Sequence, residues 1–568
     1  MRRAVVGLVV ATVSLLLASG CTEIPSSGDI NHVESGTQRS GSSEQFHPVP
    51  PSAGDEPHEI VRGFLDAMLA YPASTKIASQ FLTRQAARDW DPGSGTTVYT
   101  MPHIEAGASD TSTAQVTLEV ARRARLDAQG RWSNAASREE IALNVTREDG
   151  QWRIANPPEG LWVTQGYGDD YVRPFNLYFL DRGRGILVPE PVYQIVGDQL
   201  STRLVTALAA GPLNSTAATT AVPITHQVRA SVPIDAAGVA DVAFSASPAQ
   251  RSAETDRDMS AQIVWTLRQV LGIKAVRIRM ADEVLAPSGR VTQPTTSFPQ
   301  FDPERSTRRV GAVARGATVT LTGKETSAIA PGSGVAAVAV GDRVASLAGN
   351  VVTVQSRAGR DLAQVAGAGL LVPDIDTDET VWVVESGGRI RIVPRGQQEA
   401  RRVGSLPGVS SFAVSPDGAR YAAVVNSVLV TGSIKREAQD VVGLSEPVRL
   451  NATVGVGGGP IATSMVSSDV DWLDSTHVVH LSTPVALHPA TGRPSAPQAF
   501  SSQIDGSVTA PLQRGPALPG TAVGTLRGIA VGGSAAPQIY VLDENGRVWL
   551  LDGESWAPTS GLEVSSIG

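Results

Sequence analysis

The single cysteine of this 568-residue chain, Cys21, follows Leu17-Ala18-Ser19-Gly20, a setting in which a thiol accepts diacylglycerol. What precedes it has the three parts of a secretory signal: Arg2 and Arg3, the uncharged stretch Ala4 to Leu17, and small residues before the cleavage point. The arginines stay on the cytoplasmic side, the apolar stretch enters the translocon, and small side chains fit a peptidase groove. Residues 1–20 are therefore expected to be removed, leaving Cys21 as the lipidation site. The apolar stretch is shorter than the roughly 20 residues that span a bilayer. Acyl chains at about 0.8 kcal/mol per buried CH₂ anchor a protein without a spanning helix.

Other residues that could do chemistry form no working set. There is no Gly-x-Ser-x-Gly elbow, no Ser-x-x-Lys with its downstream partners and no His-Glu-x-x-His. Gly457-Gly458-Gly459-Pro460 lacks the Lys-Ser/Thr of a phosphate loop. His477 and His480 are close, but their strand-like run sends them to opposite faces, which argues against a shared metal. Asp374, Asp376 and Asp378 with Glu385 have calcium-loop spacing, yet Glu379 stands where an EF-hand needs Gly. A solvated turn is the better reading. No catalytic, cofactor-binding or metal residue is assigned, no cofactor is expected, and a binding role is expected over an enzymatic one.

Composition agrees with an exported globular protein. At 42% hydrophobic and 18% charged, the chain has material for three or four domains. Without a second cysteine it forms no internal disulfide, so buried apolar surface must hold it together. Its formal charge of -8, with no Lys/Arg run, makes nucleic acid a poor partner. Leu450 to Ser468 also lacks charge, but Gly455, Gly457, Gly458, Gly459 and Pro460 would leave backbone groups unpaired in lipid.

The elements behind these residues change character along the chain. Residues 21–54 are polar and rich in Ser, Gly and Pro, a flexible lipidated linker. Over 55–168, Ile60, Val61, Phe64, Leu65, Met68 and Leu69 predict one helix, and Ile77, Phe81, Leu82 and Ala86 a second after a cap at Ser74. The period then falls to two at Val116, Leu118 and Val120, at Ile141, Leu143 and Val145, and at Trp152 and Ile154. Two helices leading into an antiparallel sheet form an α+β domain similar to the NTF2-like cone. Over 169–290 strands and helices alternate: Asn176 to Leu180, Gly185 to Pro189, a helix from Gly197 to Ala210, and a hairpin from Gln227 to Phe244. A second helix follows, with Met259, Ile263, Val264, Leu267, Val270 and Leu271 on one face, then a strand from Ala275 to Met280. This pattern predicts an α/β sandwich of paired β-α-β units with Trp265 in the core. Over 300–568 short strands such as Val335 to Val340, Val381 to Glu385, Ser411 to Ser415, Ala419 to Val425, His477 to Leu481 and Ile539 to Leu542 alternate with turns. Ser415-Pro416-Asp417-Gly418, Asp543-Glu544-Asn545-Gly546-Arg547-Val548-Trp549 and Ser386-Gly387-Gly388-Arg389 look like degenerate repeats. They predict a β-propeller of about six blades.

With the lipobox at Cys21, three groups of phrases make the whole chain resemble the LpqB lipoproteins of actinobacteria. They are Ile60-Val61-Arg62-Gly63-Phe64-Leu65-Asp66-Ala67-Met68 with Trp90-Asp91-Pro92, Leu187-Val188-Pro189 with Ala210-Gly211-Pro212, and Gln262-Ile263-Val264-Trp265-Thr266-Leu267. The resemblance implies a GerMN-like middle domain and a C-terminal propeller. It also implies an accessory role to a two-component system, binding the extracytoplasmic domain of an MtrB-like sensor kinase and influencing envelope homeostasis and division. The expected location is the extracytoplasmic face of the cell membrane, held there by lipid. Two other functions would leave marks: an envelope hydrolase needs a carboxylate pair facing a deep pocket, and a small-ligand carrier needs an enclosed cavity beside Phe64, Met68 and Val116 to Val120.

Overall fold

The computed structural model describes residues 48–71, 74–133, 137–181, 185–213, 218–222, 231–245, 252–281, 283–304, 308–314, 317–331, 336–437, 440–450, 465–485, 496–512, 524–533 and 536–568. Cys21, residues 227–230 and Gly457 to Pro460 lie outside them.

Helix α1, Pro57–Ala67, starts where proline costs nothing and where Glu59 accepts the Glu56 N–H at 2.9 Å. It buries Ile60, Val61, Phe64 and Leu65. The second expected helix is broken: a 3₁₀ turn at Ala78–Phe81 is followed by an extended Leu82, and helix α2 spans only Arg84–Asp89. The break has a cause. Leu82 bridges Ile154, and the Thr83 N–H donates to the Ile154 carbonyl at 2.9 Å, so the chain leaves its helix to join a sheet. Thr83, not Ser74, caps α2 by accepting the Ala86 N–H at 3.1 Å.

That sheet contains β1 Gly95–Ser109, β2 Thr113–Asp127, β3 Trp132–Ser133, β4 Ser137–Glu148, β5 Gln151–Ile154 and β6 Leu161–Thr164. Its order is β5-β4-β2-β1-β6, with β3 also on β2; all pairs are antiparallel except β1 with β6. Register sets Val116 opposite Leu143 and Leu118 opposite Ile141. Phe64, Met68, Val116, Leu118 and Val120 all pack into one buried core, with Phe64 edge-on to Trp90 at 5.4 Å.

A short helix, α3 Gln165–Tyr171, precedes a two-stranded antiparallel ribbon of β7 Val172–Leu180 and β8 Leu187–Ile195. The connection between those strands is too short for a parallel crossover. After α4 Leu200–Ala209 come β9 Val239–Phe244, α5 Ala253–Leu267 and β10 Ala275–Met280, with β9 and β10 parallel. Among the described residues the middle region thus holds one β-α-β unit beside a hairpin rather than two such units. Small strands β11 Glu283–Val284 and β12 Gln293–Pro294 flank β10. Helix α5 ends before Val270 and Leu271, so only Val270 stays buried while Leu271 is fully exposed.

Helix α5 carries polar residues on its buried side. Gln262 donates to the Tyr178 carbonyl at 2.9 Å and accepts the Ala221 N–H at 2.7 Å; Thr266 accepts the Tyr178 N–H at 3.2 Å. Gln269 pairs with both backbone groups of Asn176, at 2.9 and 2.7 Å. The buried face of α5, continued by Gln269 just past its end, therefore stands in for a strand along β7. Gln262→Leu orphans the Tyr178 carbonyl and the Ala221 N–H, at about 1–3 kcal/mol each. A clearly lowered midpoint in urea unfolding is expected; an unchanged midpoint would refute this role.

From residue 308 the described chain is all β. Arg308–Ala314, Ala317–Thr322 and Glu325–Pro331 share a seven-stranded sheet with Ala336–Val340, Arg343–Ala348, Val351–Ser356 and Asp361–Ala366. Four further antiparallel sheets begin at Asp374–Ile375, Val409–Val414, Met465–Trp472 and Leu526–Gly532. The first strands touch in succession, 336–340 to 374–375, then 409–414, 465–472 and 526–532. The last of these returns to 308–314, which pairs with 336–340. The protein is a multidomain, β-rich chain.

Candidate functional site

Where the first strands of the C-terminal sheets converge they line a half-open cavity of about 360 Å³. Leu371, Ser410, Phe412, Asp469, Arg527 and Ile567 are among its walls. Carboxylates join these strands. Asp374 accepts the Val414 N–H at 2.6 Å and the Ile375 N–H at 2.7 Å. Asp469 accepts from Ser411 Oγ at 2.6 Å and from the Ile529 N–H at 2.9 Å; Asp471 accepts the Val531 N–H at 2.8 Å. Burial pushes the Asp469 carboxyl up, partly offset by those donors. These acids act as acceptors for backbone that no neighbouring strand can reach, because diverging strands leave N–H groups out of ladder range. Their oxygens are occupied by internal donors, which does not favour the carboxylate pair required by the hydrolase alternative.

The acidic phrase read as a solvated turn is instead buried at Asp374 and Asp376, and it has the same structural use. Asp376 accepts the Asp378 and Thr380 N–H groups at 3.0 and 2.9 Å and the Trp382 indole N–H at 3.2 Å. Asp543 repeats the device, accepting the Asn545 and Arg547 N–H groups at 2.9 and 3.0 Å and the Trp549 indole at 3.1 Å. The left-handed residue is Gly546 in one turn and Glu379 in the other, with φ of 79° and 59°. Asp376 and Asp543 share this hold on an indole although their turns join different strands; the turn equivalent to Asp543–Arg547 is the Ser386 phrase that the sequence paired with it, each lying between the second and third strands of its sheet with Gly388 and Gly546 left-handed at φ 95° and 79°.

The histidines separate as expected. His477 faces Asp474 at 3.0 Å. His480 is wholly buried, stacked on Phe500, with Ser482 Oγ at 2.7 Å and Ser502 Oγ at 2.8 Å. Burial pushes its pKa down to about 3, so the imidazole is neutral. Trp265 is core: it lies edge-on to Tyr178, and its indole donates to the Phe298 carbonyl at 3.2 Å.

Strand β8 is where the three regions meet, which no local pattern announces. On one side Arg131 donates to Glu190 Oε1 and to the Gly211 carbonyl, both at 2.6 Å. The Tyr193 N–H donates to the Gly130 carbonyl at 2.7 Å. Gly130 must be glycine, since its φ is 86° and a Cβ would sit 2.3 Å from the Tyr193 carbonyl. On the other side the Tyr193 hydroxyl donates to Gln503 Oε1 at 2.7 Å, and Arg420 donates to the Pro189 carbonyl at 2.8 Å. Glu304, on the connection to the C-terminal sheets, accepts the Ser475 N–H at 2.7 Å. Burial, with Asp474 and Asp417 nearby, pushes its pKa up to about 7, against opposing hydrogen bonds from Ser475.

Among the described residues no helix is long and apolar enough to cross a membrane. Residues 50–167 match the family model for the N-terminal domain of lipoprotein LpqB, and 176–286 match the Germane model, described as sporulation and spore germination. A lipoprotein LpqB of Cutibacterium acnes is 26% identical over 83% of this chain and 85% of its own. Those of Mycolicibacterium smegmatis and Thermobifida fusca are 25% identical over 83% and 86%, and 30% identical over 48% and 46%. Matched domain by domain in chain order and by relatives along most of its length, the chain belongs to the lipoprotein LpqB family of membrane-anchored envelope lipoproteins.

Proposed function

We propose that this protein is a lipid-tethered, non-catalytic accessory of a membrane sensor kinase of the MtrB type, displayed on the extracytoplasmic face and acting in envelope homeostasis and division. The observation that carries the reading is the use of its buried acids: Asp374, Asp376, Asp469, Asp471 and Asp543 all accept internal hydrogen bonds, leaving surface rather than a reaction centre as the working part. In this reading residues 1–20 are the signal, Cys21 carries the lipid and 21–54 form the leash. Residues 55–168 form an NTF2-like domain, 169–290 a GerMN-like domain and 300–568 a six-bladed propeller. The closed succession of first strands supports such a ring, with the seven-stranded sheet counted as two blades.

Tethering makes a modest interface sufficient, because two proteins confined to one membrane meet at high effective concentration. An accessory that binds one kinase conformation better than the other shifts its population by that difference alone. In-membrane crosslinking of the full chain and of Cys21→Ser tests this. The wild type should capture the kinase ectodomain and Cys21→Ser should lose about tenfold of it. A wild type that never captures a sensor kinase would overturn the reading.

A further inference from the structure

Strand β1 has an uncovered edge. Its parallel partner β6 accompanies it only from Thr96 to Tyr99, whereas β1 runs on to Ser109. Among the described residues no strand pairs with that outer edge beyond Tyr99, and Met101 to Ser109 are exposed except for the half-buried Ile104. Such an edge presents unpaired N–H and C=O groups to any strand that fits, and natural proteins commonly block it with lysine. This one carries none.

Between two irregularities, at Thr100 to His103 and at Ala106 to Ser109, the stretch His103 to Ala106 keeps regular register with Glu119 to Val116. Ile104 packs toward the core, while His103 and Glu105 stand on the opposite face, with His103 Nε2 and Glu105 Oε1 2.9 Å apart. Met101, at φ 51°, and Pro102, which has no N–H, end the regular edge on one side.

We infer that the β1 edge at His103–Glu105 pairs antiparallel with the same edge of a second copy of this chain, joining the two N-terminal sheets about a two-fold axis at Ile104. An isologous contact requires a self-complementary patch. A two-fold axis at Ile104 sets His103 opposite Glu105 of the second copy, and Glu105 opposite its His103. Moving the axis by one residue sets His103 against His103 or Glu105 against Glu105. Directly opposed like groups destabilise a strand pair and opposite ones stabilise it, so the side chains select the first register. Three backbone-paired residues, His103 to Glu105, make a weak contact in solution, which confinement to a membrane would strengthen.

The test uses the full chain with Cys21→Ser, in which one introduced cysteine is the sole thiol. Under mild oxidation Ile104→Cys should give covalent dimer about tenfold faster than Ala108→Cys, because only residues at the axis face their own copy at strand-pair distance. In sedimentation, Glu105→Arg should weaken self-association about tenfold, and the swap His103→Glu with Glu105→His should restore it, since each copy still meets its opposite. Equal crosslinking at the two positions overturns the inference. So does sedimentation as a monomer at every concentration, and so does a swap that fails to rescue. Each result is independent of kinase capture.

Discussion

Asp543→Ala is expected to cost about 3–5 kcal/mol. The carboxylate is completely buried and accepts the Asn545 and Arg547 N–H groups and the Trp549 indole. Removing it leaves three donors without an acceptor, two of them in the backbone of a tight turn. Asp543→Asn should recover only part of the loss. Its oxygen can serve the turn, but its amide then points a donor at the indole N–H. Urea unfolding followed by tryptophan fluorescence reads the effect, and Asp376→Ala should match it in direction because Asp376 holds Trp382 in the same way. Burial raises the Asp543 carboxyl, but its donors outweigh that and hold it below the usual carboxylate range. Its stabilisation is therefore present above the unfolded carboxylate pKa and is lost as pH falls through the lower folded value. A midpoint for Asp543→Ala within error of the wild type would remove the turn lock from this account.

That device shows what a sequence discloses and what it withholds. Asp543–Trp549 and the Ser386 phrase were legible as one repeated turn, but the second hold on an indole, at Asp376, was hidden because Glu379 takes the left-handed position that glycine usually cues. Alternation at Val116, Leu118 and Val120 announced a half-buried strand, since a strand's period of two follows from its geometry. The helix through Ile77 and Ala86 was misread because its apolar spacing is helical while Thr83 spends its backbone on Ile154, far along the chain. Leu271 looked like a continuation of the α5 stripe, yet the helix had already ended. Gln262, Thr266 and Gln269 were the overlooked signal: polar residues recurring at helical spacing within an apolar stripe announce a partner with unpaired backbone. Contacts such as Tyr193 to Gln503 have no local signature, because nothing near either residue encodes the other.

Glu304→Gln should stabilise the protein at neutral and alkaline pH and leave it unchanged in mild acid. The folded pKa of about 7 lies above the ordinary 4.5, so the folded form prefers the proton. That stability is fully present below the unfolded value and is lost as pH rises through about 7. Its scale is on the order of 2–3 kcal/mol. Glutamine keeps an oxygen for the Ser475 N–H and has no charge to desolvate beside Asp474 and Asp417. Thermal melts from pH 5 to 9 should show the wild type falling relative to the variant across neutrality. Parallel curves would show that Glu304 does not titrate there.

Strand β8 answers on one side to Arg131 and Gly130 and on the other to Gln503 and Arg420. A load applied to the N-terminal sheet reaches the far sheets through nine residues of extended chain, with little slack to take up first. Such a body works as a lever rather than as beads on a string: whatever grips one end changes the leverage felt at the other.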